Sequence, residues 1–282
     1  MPINSRAMDK PIETLSGLPQ GDAPHLIRSA NWLGVKTLYY REVWRFLKVW
    51  NQTMMAPVIT TLLWLAILTL ALGGNRGGGV DMPFNQFVVP GLIMMAVMQN
   101  AFANTSSSLM MAKIQGTIVD ILMPPLTPDE ITLSMAAGGV TRGVLVGLVT
   151  AVAAAFFVHI ALPHPLIALF YLLNASLMLA LLGLLAGIFA QGFDQMNALT
   201  NYVITPLSFL SGTFYSVNAL PEFWHALCYY NPFFYLMDGF RYALTGHNDA
   251  PLSHGMITIV VLNVLLWLGA RAMVKSGWRL KS

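Results

Sequence analysis

Few residues in this chain have types and spacings that do chemistry. Asp238 and Arg241 stand three apart in an apolar, aromatic segment. On a helix that spacing puts them on one face, where opposite charges lower the energy of placing either near lipid. The pair either stabilises its own helix or touches a substrate. His159 and His164 flank Pro163, in a turn where they are more readily solvated than proton-carrying. The glycine run from Gly73 to Gly79 is no phosphate loop, because no Gly-Lys-Ser/Thr follows and it does not lead from a strand into a helix. No His-Glu-x-x-His, no Gly-x-Ser-x-Gly and no paired carboxylates occur. No catalytic residue and no metal ligand are therefore assigned. An ion-coupled secondary transporter or channel would place ionisable groups in mid-membrane. Almost none are there: Arg142 falls near the start of a span, from which it can snorkel to the surface, and Asp194 falls at a turn.

Long apolar stretches must position these residues. Five carry no Asp, Glu, Lys or Arg: Val49 to Asn75, Met82 to Ala112, Gly143 to Phe193, Gln195 to Pro221 and Ala250 to Ala270. Each reaches the roughly 20 residues that a helix needs to cross a bilayer. The third, about 51 residues long, would overshoot the hydrocarbon core more than twofold and must turn, with Pro163 and Pro165 as the break. The reading is an all-α integral membrane protein with six transmembrane helices, because apolar runs without period-2 alternation make helices and not a barrel. Composition agrees: 56% of residues are hydrophobic, 10% are charged and the mean hydropathy is +0.63.

Seven of the 15 Lys and Arg precede the first span and four follow the last, from Arg271 to Lys281. With Lys113 and Arg142 that sets 13 basic residues on one side against Arg76 and Arg241 on the other. The sorting places both termini in the cytoplasm and independently requires an even number of spans. The basic residues belong to a membrane surface, so no nucleic acid is expected. Cys228, the single cysteine, forms no intrachain disulfide. No cleavable signal is expected, since the first 30 residues hold four prolines and scattered charges without an apolar core.

Residues 1–30 read as a mobile cytoplasmic tail. Residues 31–52 read as an amphipathic helix, with Trp32, Val35, Tyr39, Val43, Phe46 and Trp50 on one stripe and Arg41, Arg45 and Lys48 roughly opposite. Such a helix either lies in the membrane interface or extends the first span into the cytoplasm. The spans fill residues 53–282: about Ala56 to Leu72, Phe87 to Met111, Ser134 to Ile160, Leu166 to Ala190, Met196 to Tyr215 and Met256 to Val274. The second carries Met94, Met95, Met98, Met110 and Met111, which either line a promiscuous path or fill irregular packing. Gly138, Gly139, Gly143 and Gly147, with Gly183 and Gly187, predict close helix packing.

Between the second and third spans lies a loop, about 114–124, that begins at Gly116 and Thr117. It predicts a short sided helix, with Ile118, Ile121 and Leu122 facing one way and Asp120 another, stopped by Pro124 and Pro125. Its apolar face needs a partner, either another subunit or this chain's own headgroup-level surface. Between spans five and six, about 220–246, Asn231 can cap a helix that Pro232 begins, which divides the segment into an external re-entrant helical hairpin.

The last third resembles the permease subunit of type-2 ABC transporters. The Ser-Gly-x-aromatic element of that family is matched by Ser211, Gly212, Thr213 and Phe214. The Leu-Pro start of its external segment is matched by Leu220 and Pro221, and its Asn-Pro followed by Gly-x-Arg by Asn231, Pro232, Gly239 and Arg241. The loop from Gly116 resembles its coupling helix, and Arg41, Glu42 and Arg45 fit its N-terminal connecting helix. The resemblance runs from about Trp32 to the C-terminus. It implies an ATP-driven exporter in a plasma membrane, of the bacterial inner-membrane kind. It implies a homodimer on two separate ABC ATPase subunits, with ATP and Mg on those subunits and no cofactor on this chain. It also implies Gly116, Thr117, Asp120 and Ile121 at the ATPase contact, and a path between protomers lined by Met94, Met98, Ser208, Ser211, Thr213 and Phe214.

Overall fold

The computed structural model describes residues 31–72 and 82–278. The N-terminal tail, the Gly73 to Gly79 run, and Arg279 and Lys281 of the C-terminal basic group lie outside the described residues. In chain order the helices are α1 (Trp32–Leu47), α2 (Ala56–Leu72), α3 (Phe84–Ile114), α4 (Ile118–Leu122), α5 (Pro128–Ala155) and α6 (Pro165–Phe189). They continue with α7 (Phe193–Leu199), α8 (Thr205–Phe209), α9 (Glu222–Tyr230), α10 (Pro232–Thr245) and α11 (Leu252–Ser276). No strand occurs among the described residues. Among the described residues five helices are long and apolar enough to cross a membrane: Asn51–Ala71, Phe84–Ile114, Pro128–Ala155, Pro165–Phe189 and Leu252–Ser276. The chain is an all-α membrane protein.

The stretch expected as the fifth span is helical but divided. A π-helical turn, Thr200–Ile204, separates α7 from α8, so neither piece has the length of a span. A second π turn, Asn51–Met55, joins the end of α1 to α2. Wide turns of this kind insert a residue into the i→i−4 ladder and are common where helices bend or function.

Helix ends follow their residues. Thr127 and Glu130 form a capping box at the start of α5, with Pro128 in the first turn. After α5 the chain turns through Leu162, which takes φ +48°, and Pro165 opens α6. α3 and α6 occupy the centre and are mostly buried, whereas α2 and α11 turn most of their apolar side chains outward. Lipid tails are as apolar as leucine, so close packing between these helices depends on small residues. A Cβ on Gly139 would come within 2.6 Å of the Ala180 Cβ, and one on Gly147 within 2.6 Å of Val97.

Candidate functional site

The loop between α3 and α5 is built as a short sided helix. Gly116 takes φ +70°, a conformation costly for a side-chain-bearing residue, and turns the chain out of α3 into α4. On α4, Ile118 and Ile121 are buried while Asp120 and Val119 are exposed. The partner of the apolar face is this chain's own core: Ile118 and Ile121 pack with Leu109 of α3, Ile131 of α5, Leu184 and Ile188 of α6, and Val274 of α11. Five residues of helix are thereby seated on four long helices.

The start of α1 is tied to the same corner. Asn31 caps α1 by accepting from Gly34 N at 3.0 Å, and its own N–H donates to Glu130 Oε1 at 2.6 Å. The other Glu130 oxygen accepts from Thr127 N at 2.7 Å, so one carboxylate joins the beginnings of α1 and α5. Between α1 and α4 lies a cleft of about 290 Å³ whose lining includes Thr37, Arg41, Asp120, Ile121 and Pro124. Five residues expected at a coupling contact thus fall at one corner: Gly116 and Thr117 enter α4, and Arg41, Asp120 and Ile121 line the cleft.

Glu42 and Arg45 do not join them. The stripe expected on α1 turns Arg45 away from the aromatics, toward lipid headgroups; Trp32 and Trp50 are exposed, and the face buried in the chain is Leu38, Glu42 and Phe46. The reason is polar pairing across α3. Glu42 Oε1 accepts from Ser108 Oγ at 2.7 Å, and Arg45 donates to Asn104 O at 2.6 Å, Asn104 Oδ1 at 3.0 Å and Ser107 Oγ at 3.2 Å. Gly138 of α5 lets α1 approach, since a Cβ there would meet the Glu42 Cβ at 2.6 Å. Arg142 likewise finds a partner on α3. It sits 14 residues beyond the start of the 28-residue α5, about 21 Å along the helix. Its Nη2 donates to Asn100 Oδ1 at 3.1 Å.

The expected path residues are turned inward in the single chain. Met94 and Met98 lie in the main core, and the methionines that reach an open cleft are Met95 and Met111. The hydroxyls of Ser208, Ser211 and Thr213 donate to Ile204 O, Leu207 O and Ser208 O, and all three residues are buried. Phe214 is partly buried and stacks on Phe209.

The segment between α8 and α11 does contain two helices divided at Asn231. Asn231 Oδ1 accepts from Phe233 N at 3.0 Å, Pro232 opens α10, and Asn231 Nδ2 donates to Leu207 O at 2.8 Å. Asp238 and Arg241 do not contact each other; the ion pairs among the described residues are Arg45–Glu42 and Arg271–Asp129, and Asp249 lies against the His247 ring. Backbone groups of irregular segments compete for both. Asp238 accepts from Asp249 N at 2.8 Å and Ala250 N at 3.0 Å. Arg241, fully buried, donates to Gly212 O and to Phe87 O, with its guanidinium 4.0 Å from the Phe87 ring centroid. Gly239 is the residue that lets α10 lie against the Tyr171 ring of α6.

The family model of the ABC-2 type transporter matches residues 34–245, three-quarters of the chain. The chain belongs to the ABC-2 type transporter family. This ABC-2 family member is similar to the inner membrane transport permease YadH of Escherichia coli K12. The identity is 37% over 251 residues, covering 89% of this chain and 98% of the relative. It is also similar to nodulation protein J of Rhizobium leguminosarum bv. viciae, at 26% over 242 residues, covering 84% of this chain and 89% of that one. The matched region holds α4, the Arg41–Asp120 cleft and the Arg241 network. Sequence reasoning passed over Glu130, whose Thr-x-x-Glu spacing is the signal that identifies it.

Proposed function

We propose that this chain is the membrane-spanning permease subunit of an ATP-driven exporter, coupled through α4 to a separate ATPase subunit. The observation that carries the proposal is the seating of α4. Its exposed Asp120 faces outward beside Arg41, and its buried isoleucines rest on α3, α5, α6 and α11. A displacement of α4 is therefore a displacement of packing shared by four long helices, and packed interfaces respond by switching between discrete arrangements.

In this reading 193–209 completes a sixth span despite its π turn, both termini are cytoplasmic, and residues 220–246 form a hairpin entering the outer leaflet. The basic residue distribution supports that orientation. Two copies of the chain would enclose the path, in keeping with the apolar side chains that α2 and α11 turn outward. The inner membrane is the proposed location, as the name of the YadH relative suggests. ATP and Mg belong to the partner subunit, since no phosphate-binding loop motif occurs in the sequence.

Purified alone, the chain is expected to hydrolyse no ATP, and co-expression with its ATPase should yield a stable complex that does. ATP turnover by the contaminant-free chain would contradict the proposal.

A further inference from the structure

Asn100 and Asn104 lie four residues apart on α3, on one face and about 6 Å apart along the axis. Each holds a guanidinium by its side-chain oxygen: Arg142 on Asn100 at 3.1 Å and Arg45 on Asn104 at 3.0 Å. Two cations are thus held on successive turns deep along α3, an arrangement that mutual repulsion and desolvation disfavour unless something compensates them. The compensation within the chain is incomplete. Arg45 has Glu42 at 3.4 Å, but Ser108 also occupies that carboxylate. Arg142 has no carboxylate within ion-pair distance among the described residues. The Nε atoms of both arginines are shielded from solvent and lack a hydrogen-bond partner.

Both arginines border one cleft of about 690 Å³ between α2, α3, α5 and the end of α1, a volume typical of small-molecule sites. Its lining changes in balance along its length. Beside the arginines are Gln99, Asn100 and Ser107 together with Met111, and farther from α4 are Leu92, Met95 and Trp64 together with Thr60 and Thr61. A small soluble anion would leave the more apolar end unfilled, and a neutral hydrocarbon would leave the guanidiniums without a counter-charge. Guanidinium groups bind carboxylate and phosphate through paired, directed hydrogen bonds.

We propose that this cleft binds an amphiphile with an anionic headgroup, its carboxylate or phosphate against Arg142 and Arg45 and its alkyl chain along Leu92, Met95 and Trp64. The inference deepens the transport reading by naming the class of molecule carried, and rests on that reading only for the carrying. An exported molecule and an anionic lipid of the bilayer share this chemistry, and the test separates them.

Binding of radiolabelled hexadecyl phosphate and of hexadecanol is measured on the full chain in phosphatidylcholine nanodiscs, without any ATPase. The phosphate should bind saturably and about tenfold or more tighter than the alcohol, a preference that a paired guanidinium supplies. Arg142→Gln should remove the preference and leave alcohol binding as it was. Asn100→Asp, nearly isosteric and placing a carboxylate on the Arg142 guanidinium, should do the same and guards against a folding artefact of the first variant. Repeating the titration in nanodiscs containing phosphatidylglycerol distinguishes the sources: unchanged affinity marks a molecule other than bulk lipid, and strong competition marks the bilayer's own anionic lipid. Equal affinity for phosphate and alcohol, or wild-type preference in both variants, would overturn the proposal. Because no ATPase is present, that failure would remove the site and leave the permease reading standing.

Discussion

Asp120 is exposed on α4, and the next residue, Ile121, is 2% exposed in the core beneath it. Substitutions at the two should therefore separate coupling from stability. Asp120→Lys reverses charge on a solvated face and should change stability by no more than about 0.5 kcal/mol. ATP turnover of the assembled complex should nevertheless fall several-fold through a lost or mismatched contact. Ile121→Ala removes buried volume and should cost roughly 2 to 5 kcal/mol, seen as a lower midpoint of thermal unfolding in detergent. Wild-type ATP turnover by Asp120→Lys would show that α4 makes no functional contact. Arg241→Met keeps bulk but leaves the carbonyl of Gly212 without this donor. A buried acceptor left unpaired costs about 1 to 3 kcal/mol, so this variant should also unfold at lower temperature. An unchanged midpoint would mean that the hairpin network is dispensable for stability.

At the scale of elements, α1 is tied to the start of α5, beside α4, because Glu130 holds Asn31 and Thr127 together while Ser134 Oγ donates to Val35 O. Glu130→Gln retains one acceptor and loses the charge, and hydrogen bonds to a charged group are worth about 1.5 to 3 kcal/mol. Amide hydrogen exchange over 32–47 should accelerate in that variant while exchange in α6 stays slow; equal protection in both would refute the tie. Much of this element level was legible in the sequence. The inward isoleucines and outward Asp120 of α4 follow from helical spacing, and the break at Asn231 with Pro232 starting α10 follows from capping chemistry. Other features were hidden for physical reasons. A charge count assigns Arg142 to a side of the membrane but carries no depth, so its mid-helix partner Asn100 stayed out of view. An amphipathic stripe assigns Arg45 to the headgroup side because it does not register acceptors such as Asn104 on a neighbouring helix. The Asp238–Arg241 spacing predicts a local pair, and only the folded loop brings the backbone donors and acceptors that win both groups. The π turn within 193–209 was announced only indirectly, by Pro206, which has no N–H for the Tyr202 carbonyl inside the turn.

For the whole molecule, the account requires α4 and the start of α1 on one side of the membrane and the hairpin on the other. Cysteines introduced at the exposed positions Gln115 and Asp194 should react with an impermeant maleimide only from the cytoplasmic side, and those at Ala161 and Glu222 only from outside. The native thiol, Cys228, is buried and should give little background. Labelling at position 115 from outside would break the orientation and, with it, the access of any cytoplasmic ATPase to α4. The most direct test of the central claim places a photo-crosslinking residue at position 120, and separately at positions 41 and 161, in the assembled complex of permease and ATPase. Crosslinks to the ATPase subunit from 120 and 41, and none from 161, are the predicted result. An intact complex with no crosslink from either 120 or 41, or with a crosslink from 161, would contradict coupling through α4.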